Sequence, residues 1–217
     1  MPRSLNFQLA SFYLTAKELV ISSGFQAEID WQDDLRFGQI EEPDFLREAA
    51  WVVLSTGFRE SVVRRTFPAI SEAFLQWRNA RAISDQARSC RRRALLAFSN
   101  ERKIDSIITI AEKVSTMGFP LLRKQIENGG VGFLQSLPYI GPVTAFHLAK
   151  NIGLNVAKPD RHLVRAAKSV GISCPQKMCE MIHQVVGDPV SVIDLVIWRY
   201  ATIQPQYPNE FRSISGN

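Results

Sequence analysis

Two short segments of the chain carry residues whose types and spacing suit chemistry beside a phosphate-bearing substrate. The first, residues 137–142 with the sequence LPYIGP, is a tight turn whose second proline opens a helix. The N–H groups at such a helix start lack helical acceptors and, with the helix dipole, attract an anion. The second places Asp160 after Pro159 and before an apolar run, where a helix N-cap is expected. The sequence thus predicts an anion-binding turn and a carboxylate fixed by backbone N–H groups.

Together these segments resemble the helix-hairpin-helix motif and the catalytic aspartate of the helix-hairpin-helix DNA glycosylases. The resemblance is specific over residues 137–165. It extends more loosely to residues 54–60, LSTGFRE, which resemble a helix-end segment that carries a glutamine wedge in several members. Members of the family cut the bond between a damaged or mispaired base and its sugar in base-excision repair. Pro–Gly turns and capping aspartates also occur widely in proteins that bind no nucleic acid, so the pairing of the two segments carries the prediction.

The resemblance implies a role for each matching residue. Asp160 would stabilise the oxocarbenium-like sugar of the transition state, or orient and deprotonate the attacking water. Contact with DNA is implied for the turn, the helix start after it, the Asp-x-His histidine and the wedge segment: Pro138, Tyr139, Ile140, Gly141, Val143, Thr144, His162 and Arg59. His162 could equally support the aspartate or be an ordinary helix-surface histidine.

The chain departs from the family pattern at three positions. Tyr139 stands where the family usually has glycine, and a tyrosine restricts the backbone there. Gly57 stands in place of the wedge glutamine, so Phe58 or Arg59 would fill the gap left by an extruded base, although Phe58 also reads as a core residue. Val143 occupies the position of the lysine that forms a Schiff base in members with lyase activity. Water is therefore the expected nucleophile, and the enzyme is expected to be monofunctional.

Two other functions stay open. One is a non-catalytic helix-hairpin-helix protein that binds distorted DNA. The other is a bifunctional glycosylase/lyase with a displaced lysine, for which Lys150 and Lys158 are near in sequence. The lesion is also open among alkylated purine, uracil, mismatched thymine and oxidised guanine. The absence of an evident general acid favours a cationic alkylated purine, which needs little help in leaving.

Composition agrees with a DNA partner without requiring one. The net charge is +5 and the pI is about 9.3, with basic clusters over residues 88–103 and 59–65. Such clusters also form ordinary solvated helix faces. The expected partner is double-stranded DNA with a base lesion, bound by a monomer.

Three cysteines form no disulfide framework and are one short of the four that ligate the family's iron–sulfur cluster. We expect no cofactor apart from a monovalent cation, which hairpins of this family often hold on loop carbonyls. Without an apolar run of about 20 residues or a secretory signal, we expect no membrane contact and a cytoplasmic, nucleoid-associated or nuclear location, not a secreted protein.

Helical periodicity dominates the chain and predicts an all-α fold. Helices are expected near 5–22, 45–53, 68–78, 87–99, 104–117, 119–128, 141–152, 161–171, 175–186 and 189–203. Gly24 to Ile29 is a weak strand candidate, and Asp30 to Glu42 reads as a loop. From the family architecture we expect two helical lobes with a cleft between them. Residues 1–42 and 134–217 would form the terminal lobe, with the hairpin and Asp160, and residues 43–133 the middle lobe.

Overall fold

The computed structural model describes residues 5–214, and the predicted all-α class is confirmed: every regular element in that range is helical. In chain order the α-helices are α1 (Leu5–Val20), α2 (Gln26–Asp34), α3 (Glu42–Ser55), α4 (Glu60–Ala73), α5 (Ala80–Asp85), α6 (Ala87–Ala97), α7 (Glu101–Met117), α8 (Phe119–Leu134), α9 (Pro142–Asn151), α10 (Arg161–Ser169), α11 (Pro175–Val186), α12 (Val190–Ile203) and α13 (Tyr207–Ile214). A π-helical turn, Ile21–Phe25, joins α1 to α2, and short 3₁₀ turns lie at Phe37–Gln39 and Leu75–Trp77.

The chain forms two compact units. Of the described residues, unit 1 contains 5–36 and 153–214, and unit 2 is the continuous segment Phe37–Ile152. In unit 1, α1 packs on both α11 and α12, and α10 packs on α11, α12 and α13. Fully buried Leu9 and Tyr13 of α1 belong to the same core as Ile193 of α12. Burial of this apolar face is what gathers α10, the helix that follows Asp160, into unit 1.

Unit 2 is built around α3 and α7, which pack on each other. Most apolar residues of α3 and α7, including Phe45, Val53 and Ile104, are buried at the three- to four-residue spacing that predicted these helices. Helix α9 packs on α3 and α8. In that packing the buried Asn151 side chain donates a 3.0 Å hydrogen bond from Nδ2 to Glu48 Oε2.

The units divide the chain differently from the expected lobes. Residues 134–152, assigned from the family architecture to the terminal lobe with Asp160, belong to unit 2. The reason is the packing of α9 on α3 and α8, which no periodicity within α9 could specify. Residues 37–42 likewise belong to unit 2.

The predictions of a strand, a loop and one set of helix bounds were wrong, because the structure is helical over different residues. The strand expected at Gly24 to Ile29 is instead the end of the π-helical turn and the first turn of α2. Ile29 is buried there in the unit 1 core, and burial of a single helix face needs no alternation. Part of the loop expected from Asp30 onward is the rest of α2. The helix expected at 68–78 ends at Ala73 and starts at Glu60, because α4 accommodates Pro68 within its length.

Among residues 5–214, no single helix is both long and apolar enough to cross a membrane. One pair, Pro175–Val186 with Val190–Ile203, meets the length and composition criterion only when the two are joined across a 110° bend.

Candidate functional site

Asp160 is the N-cap of α10, as the sequence predicted. Its Oδ1 accepts hydrogen bonds from the backbone N–H groups of His162 at 2.8 Å and Leu163 at 3.0 Å. The residue is half-buried, and both of these bonds end on Oδ1. The carboxylate is thus oriented through one of its oxygens, and Oδ2 is the oxygen that these two bonds leave unused.

The segment leading to Asp160 is tied down by side chains of α11 and α12. The backbone N–H of Lys158 donates to Asp194 Oδ1 at 2.8 Å, and that of Ala157 donates to Gln176 Oε1 at 2.7 Å. Asp194 is only 1% exposed, so this acceptor lies inside the unit 1 core. Because irregular backbone must satisfy its polar groups individually, these two bonds fix the path of the chain into Asp160.

His162 lies against the aromatic residue Tyr207 rather than standing free on the helix surface. The two ring centroids are 5.8 Å apart, and His162 Nε2 accepts a 3.2 Å hydrogen bond from Arg161 Nε. Burial lowers the pKa of His162, an effect that the nearby Asp160 carboxylate partly opposes. His162 Nδ1 is buried without a hydrogen-bond partner among the described residues. The structure therefore places His162 beside the aspartate, with a largely neutral ring at pH 7.

A basic groove follows Asp160 along α10. Arg161, Arg165 and Lys168 recur at spacings of four and three residues, and Arg212 of α13 joins them around an open groove of about 600 Å³. The three α10 side chains are all exposed. They span about 10 Å along the helix axis. The basic clusters evident in the sequence are other residues, and this groove was not predicted because Arg212 is brought to α10 only by packing.

The predicted turn of residues 137–142 is present in unit 2, between α8 and α9. Leu137 and Ile140 are buried, at 3% and 4% exposure, and anchor the turn in the core. Tyr139, between them in sequence, has a φ of +64°, the left-handed conformation that glycine adopts without strain. The backbone shape expected of glycine at this position is therefore retained, although a tyrosine occupies it.

The start of α9 has the polarity expected of an anion site. Pro142 is its first residue, and the Gly141 backbone N–H donates to Thr144 Oγ1 at 2.6 Å. Val143, which stands where lyases of the family have lysine, is 42% exposed. Val143 and Thr144 supply first-turn N–H groups, which no helical carbonyl can accept. Pro138 precedes Tyr139 in the same turn.

The wedge-like segment after α3 is exposed at its tip. Gly57 has a φ of +75°, and Phe58 and Arg59 follow it at the surface, with Arg59 as the N-cap residue of α4. Phe58 is 43% exposed, so its interpretation as an ordinary core residue was wrong. One side of its ring packs on Phe98, with centroids 5.0 Å apart.

A buried lysine, Lys103, joins this segment to the turn before α9. Its Nζ donates to the carbonyl oxygens of Val53 at 2.7 Å, Leu54 at 2.7 Å and Thr56 at 2.5 Å, at the end of α3. The same atom lies 5.3 Å from the ring centroid of Tyr139. The residue is 1% exposed, and desolvation lowers its pKa to about 8. In the sequence Lys103 is one of the cations of the basic cluster over residues 88–103, and no local signal there indicated its burial.

The two basic clusters expected to approach DNA are partly neutralised within unit 2. Arg91 forms ion pairs with Glu101 at 2.8 Å and Asp105 at 2.6 Å. Arg93 donates to the Ala73 carbonyl oxygen at 2.8 Å, and Arg64 pairs with Glu60 at 2.5 Å. Two cations of these clusters, Arg91 and Arg64, are thus paired with carboxylates of the protein itself.

No group of three or more His, Cys, Asp or Glu side chains in the part of the chain that the structure describes is arranged to hold a metal ion. Cys90 and Cys179 are buried and Cys174 is exposed.

In comparisons with known proteins, no family model, no curated protein and no solved structure matches this chain. The helix-hairpin-helix glycosylase family therefore stays a prediction from the residues quoted above.

Proposed function

We propose that this protein is a monofunctional DNA N-glycosylase that hydrolyses the bond between a damaged or mispaired base and its deoxyribose. The observation that carries the proposal is the Asp160 carboxylate, which is half-buried and held through Oδ1 by two backbone N–H groups. We assign the catalytic role to the other oxygen, Oδ2, which would face the sugar and the attacking water. As the base departs, the sugar gains positive charge, and a fixed negative oxygen beside it lowers the barrier.

Water is the proposed nucleophile. Oδ2 of Asp160 would orient it and accept its proton, a task that calls for a fixed acceptor rather than a mobile one. Val143 cannot form a covalent intermediate with the sugar. Lys103 is an unsuitable nucleophile because all three of its N–H groups are donated to backbone carbonyls.

Two surfaces support binding of the DNA backbone. The start of α9 offers first-turn N–H groups and the positive end of a helix dipole to a phosphate. In unit 1, the groove of Arg161, Arg165, Lys168 and Arg212 begins at the residue after Asp160. Its 10 Å of helix matches about three phosphates of one strand, at about 3.4 Å of duplex axis each. Both contacts would position DNA without reading its sequence.

The proposal is tested with a panel of duplexes carrying an alkylated purine, uracil, a thymine mismatch or oxidised guanine. The wild type should release free base from at least one duplex and leave an alkali-labile site. Asp160→Asn should slow release by about 100-fold or more, since a neutral amide cannot stabilise the cationic sugar.

Asp160→Asn is a matched variant because asparagine caps helices about as well as aspartate. Its thermal stability and DNA affinity should therefore stay near those of the wild type, whereas Asp160→Ala should also lose about 1 kcal/mol of stability. Undiminished release by Asp160→Asn would remove the proposed mechanism.

The same panel separates the two alternatives. A non-catalytic protein would bind the duplexes and release no base from any of them. A glycosylase/lyase would nick the strand without alkali and be trapped covalently by borohydride, and Lys150→Ala and Lys158→Ala would show which lysine reacts.

A further inference from the structure

Two aromatic rings from distant parts of the sequence flank the same buried ammonium group in unit 2. Lys103 Nζ lies 4.7 Å from the ring centroid of Phe58 and 5.3 Å from that of Tyr139. The two residues are half-exposed, at 43% for Phe58 and 41% for Tyr139. The arrangement presents two aromatic side chains at the surface around a cation that solvent does not reach.

We propose that Phe58 and Tyr139 form a stacking platform for an unstacked nucleobase in duplex DNA, and that Lys103 is the positioning residue that holds both rings. The inference rests on the proposed DNA-binding function and adds to it which feature of a distorted duplex unit 2 binds. A base opposite an abasic site has no partner to hold it in the duplex, and once it leaves the stack it exposes its π faces. Aromatic side chains bind such faces without regard to sequence.

Lys103 is suited to a positioning role because its ammonium group is fixed by hydrogen bonds. Three carbonyl oxygens from Val53 to Thr56 accept its three N–H groups, so the ammonium can neither rotate nor leave without breaking buried hydrogen bonds. A fixed cation attracts the negative faces of both rings. The loop after α3 and the turn before α9 thereby both contact the same ammonium group, that of Lys103.

The backbone of Tyr139 supports a binding role for its ring. A φ of +64° is costly for a residue with a Cβ, and glycine would adopt it freely. The ring lies beside the Lys103 ammonium, and the residue is 41% exposed. Strain retained for an exposed ring is typical of a ligand contact rather than of packing.

The surroundings favour a nucleotide over an apolar peptide as the occupant. Tyr139 precedes the start of α9 by three residues, so one aromatic ring of the pair and the first-turn N–H groups belong to the same turn. A nucleotide has the matching pair of groups, a flat base and an anionic phosphate. The chain's net charge of +5 also favours a polyanion.

The test uses a duplex with a stable abasic-site analogue opposite 2-aminopurine, whose fluorescence reports stacking, and the same duplex fully paired. The wild type should bind the abasic duplex more tightly than the paired one and change the 2-aminopurine signal. Phe58→Leu and Tyr139→Leu should each reduce that preference by about 5- to 30-fold, the effect expected for one lost base–aromatic stack. Affinity for the paired duplex should be nearly unchanged.

Phe7→Leu is the matched control, since Phe7 on α1 in unit 1 is also an exposed aromatic, at 58%. It should leave the preference intact. Lys103→Met should reduce the preference as the ring variants do, but it is expected to lower stability as well.

Tyr139→Gly tests whether the Tyr139 ring binds the base or only supports the fold, because thermal stability and duplex preference should then change differently. Removing the strained Cβ should leave thermal stability equal or higher, while the preference for the abasic duplex falls as in Tyr139→Leu. A purely structural tyrosine would change both measurements in the same direction, and that result would overturn the proposal.

The base-release assay on the same preparations keeps this inference apart from the proposed function. Release by the wild type, with an unchanged duplex preference in both ring variants, would overturn the platform and leave the glycosylase standing. A ring-dependent preference without release from any lesion would support the platform and remove the catalytic proposal.

Discussion

The segment that leads to Asp160 in unit 1 and the surface around Lys103 in unit 2 are held in place by different physical means. The backbone before Asp160 donates hydrogen bonds to single side-chain acceptors, Gln176 and Asp194. The unit 2 surface is organised around one desolvated cation that binds three carbonyl oxygens. The Asp194 bond can be kept by an isosteric substitution, whereas no neutral side chain supplies three N–H donors from one atom as Lys103 does. The two regions should therefore respond differently to conservative mutations and to pH.

The largest effect is expected for Lys103→Met. The change removes the donor shared by three carbonyl oxygens, two of them in buried hydrogen bonds and one in a part-buried bond. At about 1 kcal/mol for each lost bond, the free energy of unfolding at pH 7 should fall by about 3 kcal/mol. Chemical denaturation measures it. Lys113→Met, on the same helix but hydrogen-bonded only to exposed Ser136, should cost less than about 0.5 kcal/mol. Equal losses for the two variants would show that the buried cation has no special role.

The stability contributed by Lys103 should depend on pH. Its pKa is lowered to about 8 in the folded protein from 10.5, so the unfolded chain binds more protons between these values. The free energy of unfolding of the wild type, measured against Lys103→Met, should thus rise between pH 8 and pH 10.5, by about 2 kcal/mol. A difference that stays constant over this range would contradict the lowered pKa.

Substitutions of Asp194 test whether a side-chain hydrogen bond, rather than a charge, holds the segment before Asp160 in unit 1. Asp194→Ala removes the acceptor for the Lys158 N–H inside the core and should lower stability by about 2 kcal/mol. Base release should fall about tenfold or more, because Asp160 would be less well placed. Asp194→Asn keeps an oxygen acceptor and should lose clearly less of both. If Asn and Ala behave alike, the carboxylate charge matters here too, and the contrast with unit 2 disappears.

The smallest effect on the free energy is expected for the groove on α10. Changing Arg161, Arg165 and Lys168 together to Gln should weaken DNA binding uniformly across sequences. It should also make the slope of log affinity against log salt less steep by about 2 to 3, near 0.9 per lost phosphate contact. Binding titrations at several salt concentrations give the slope, and thermal stability should stay near that of the wild type because the side chains are exposed.

A second triple variant controls for net charge. Arg78, Lys124 and Lys177 are exposed and lie outside the groove. Changing these three to Gln removes the same charge and should alter the slope by less than about 1. Identical slopes for the two triple variants would mean that the overall field, rather than the groove, attracts DNA.

The amino-acid sequence by itself determined the helical class and several helix starts. The capping bonds of Asp160 and the start of α9 at Pro142 depend on neighbours within three residues, so the local pattern was sufficient to predict both. Local pattern also placed the turn of residues 137–142, which the burial of Leu137 and Ile140 holds in position. Hydrogen bonds and periodicity of this kind involve residues within about one helical turn of each other. They can therefore be predicted from the order of residues in the sequence.

Tertiary structure alone decided which side chains form hydrogen bonds to the backbone of these helix ends and turns. Lys103 binds carbonyls about 50 residues away, and Asp194 binds an N–H 36 residues away. The membership of α9 in unit 2 and the exposure of Phe58 have the same origin. Such contacts form because burial forces polar groups to find partners wherever the fold brings them, and the choice of partner leaves no mark on the local sequence.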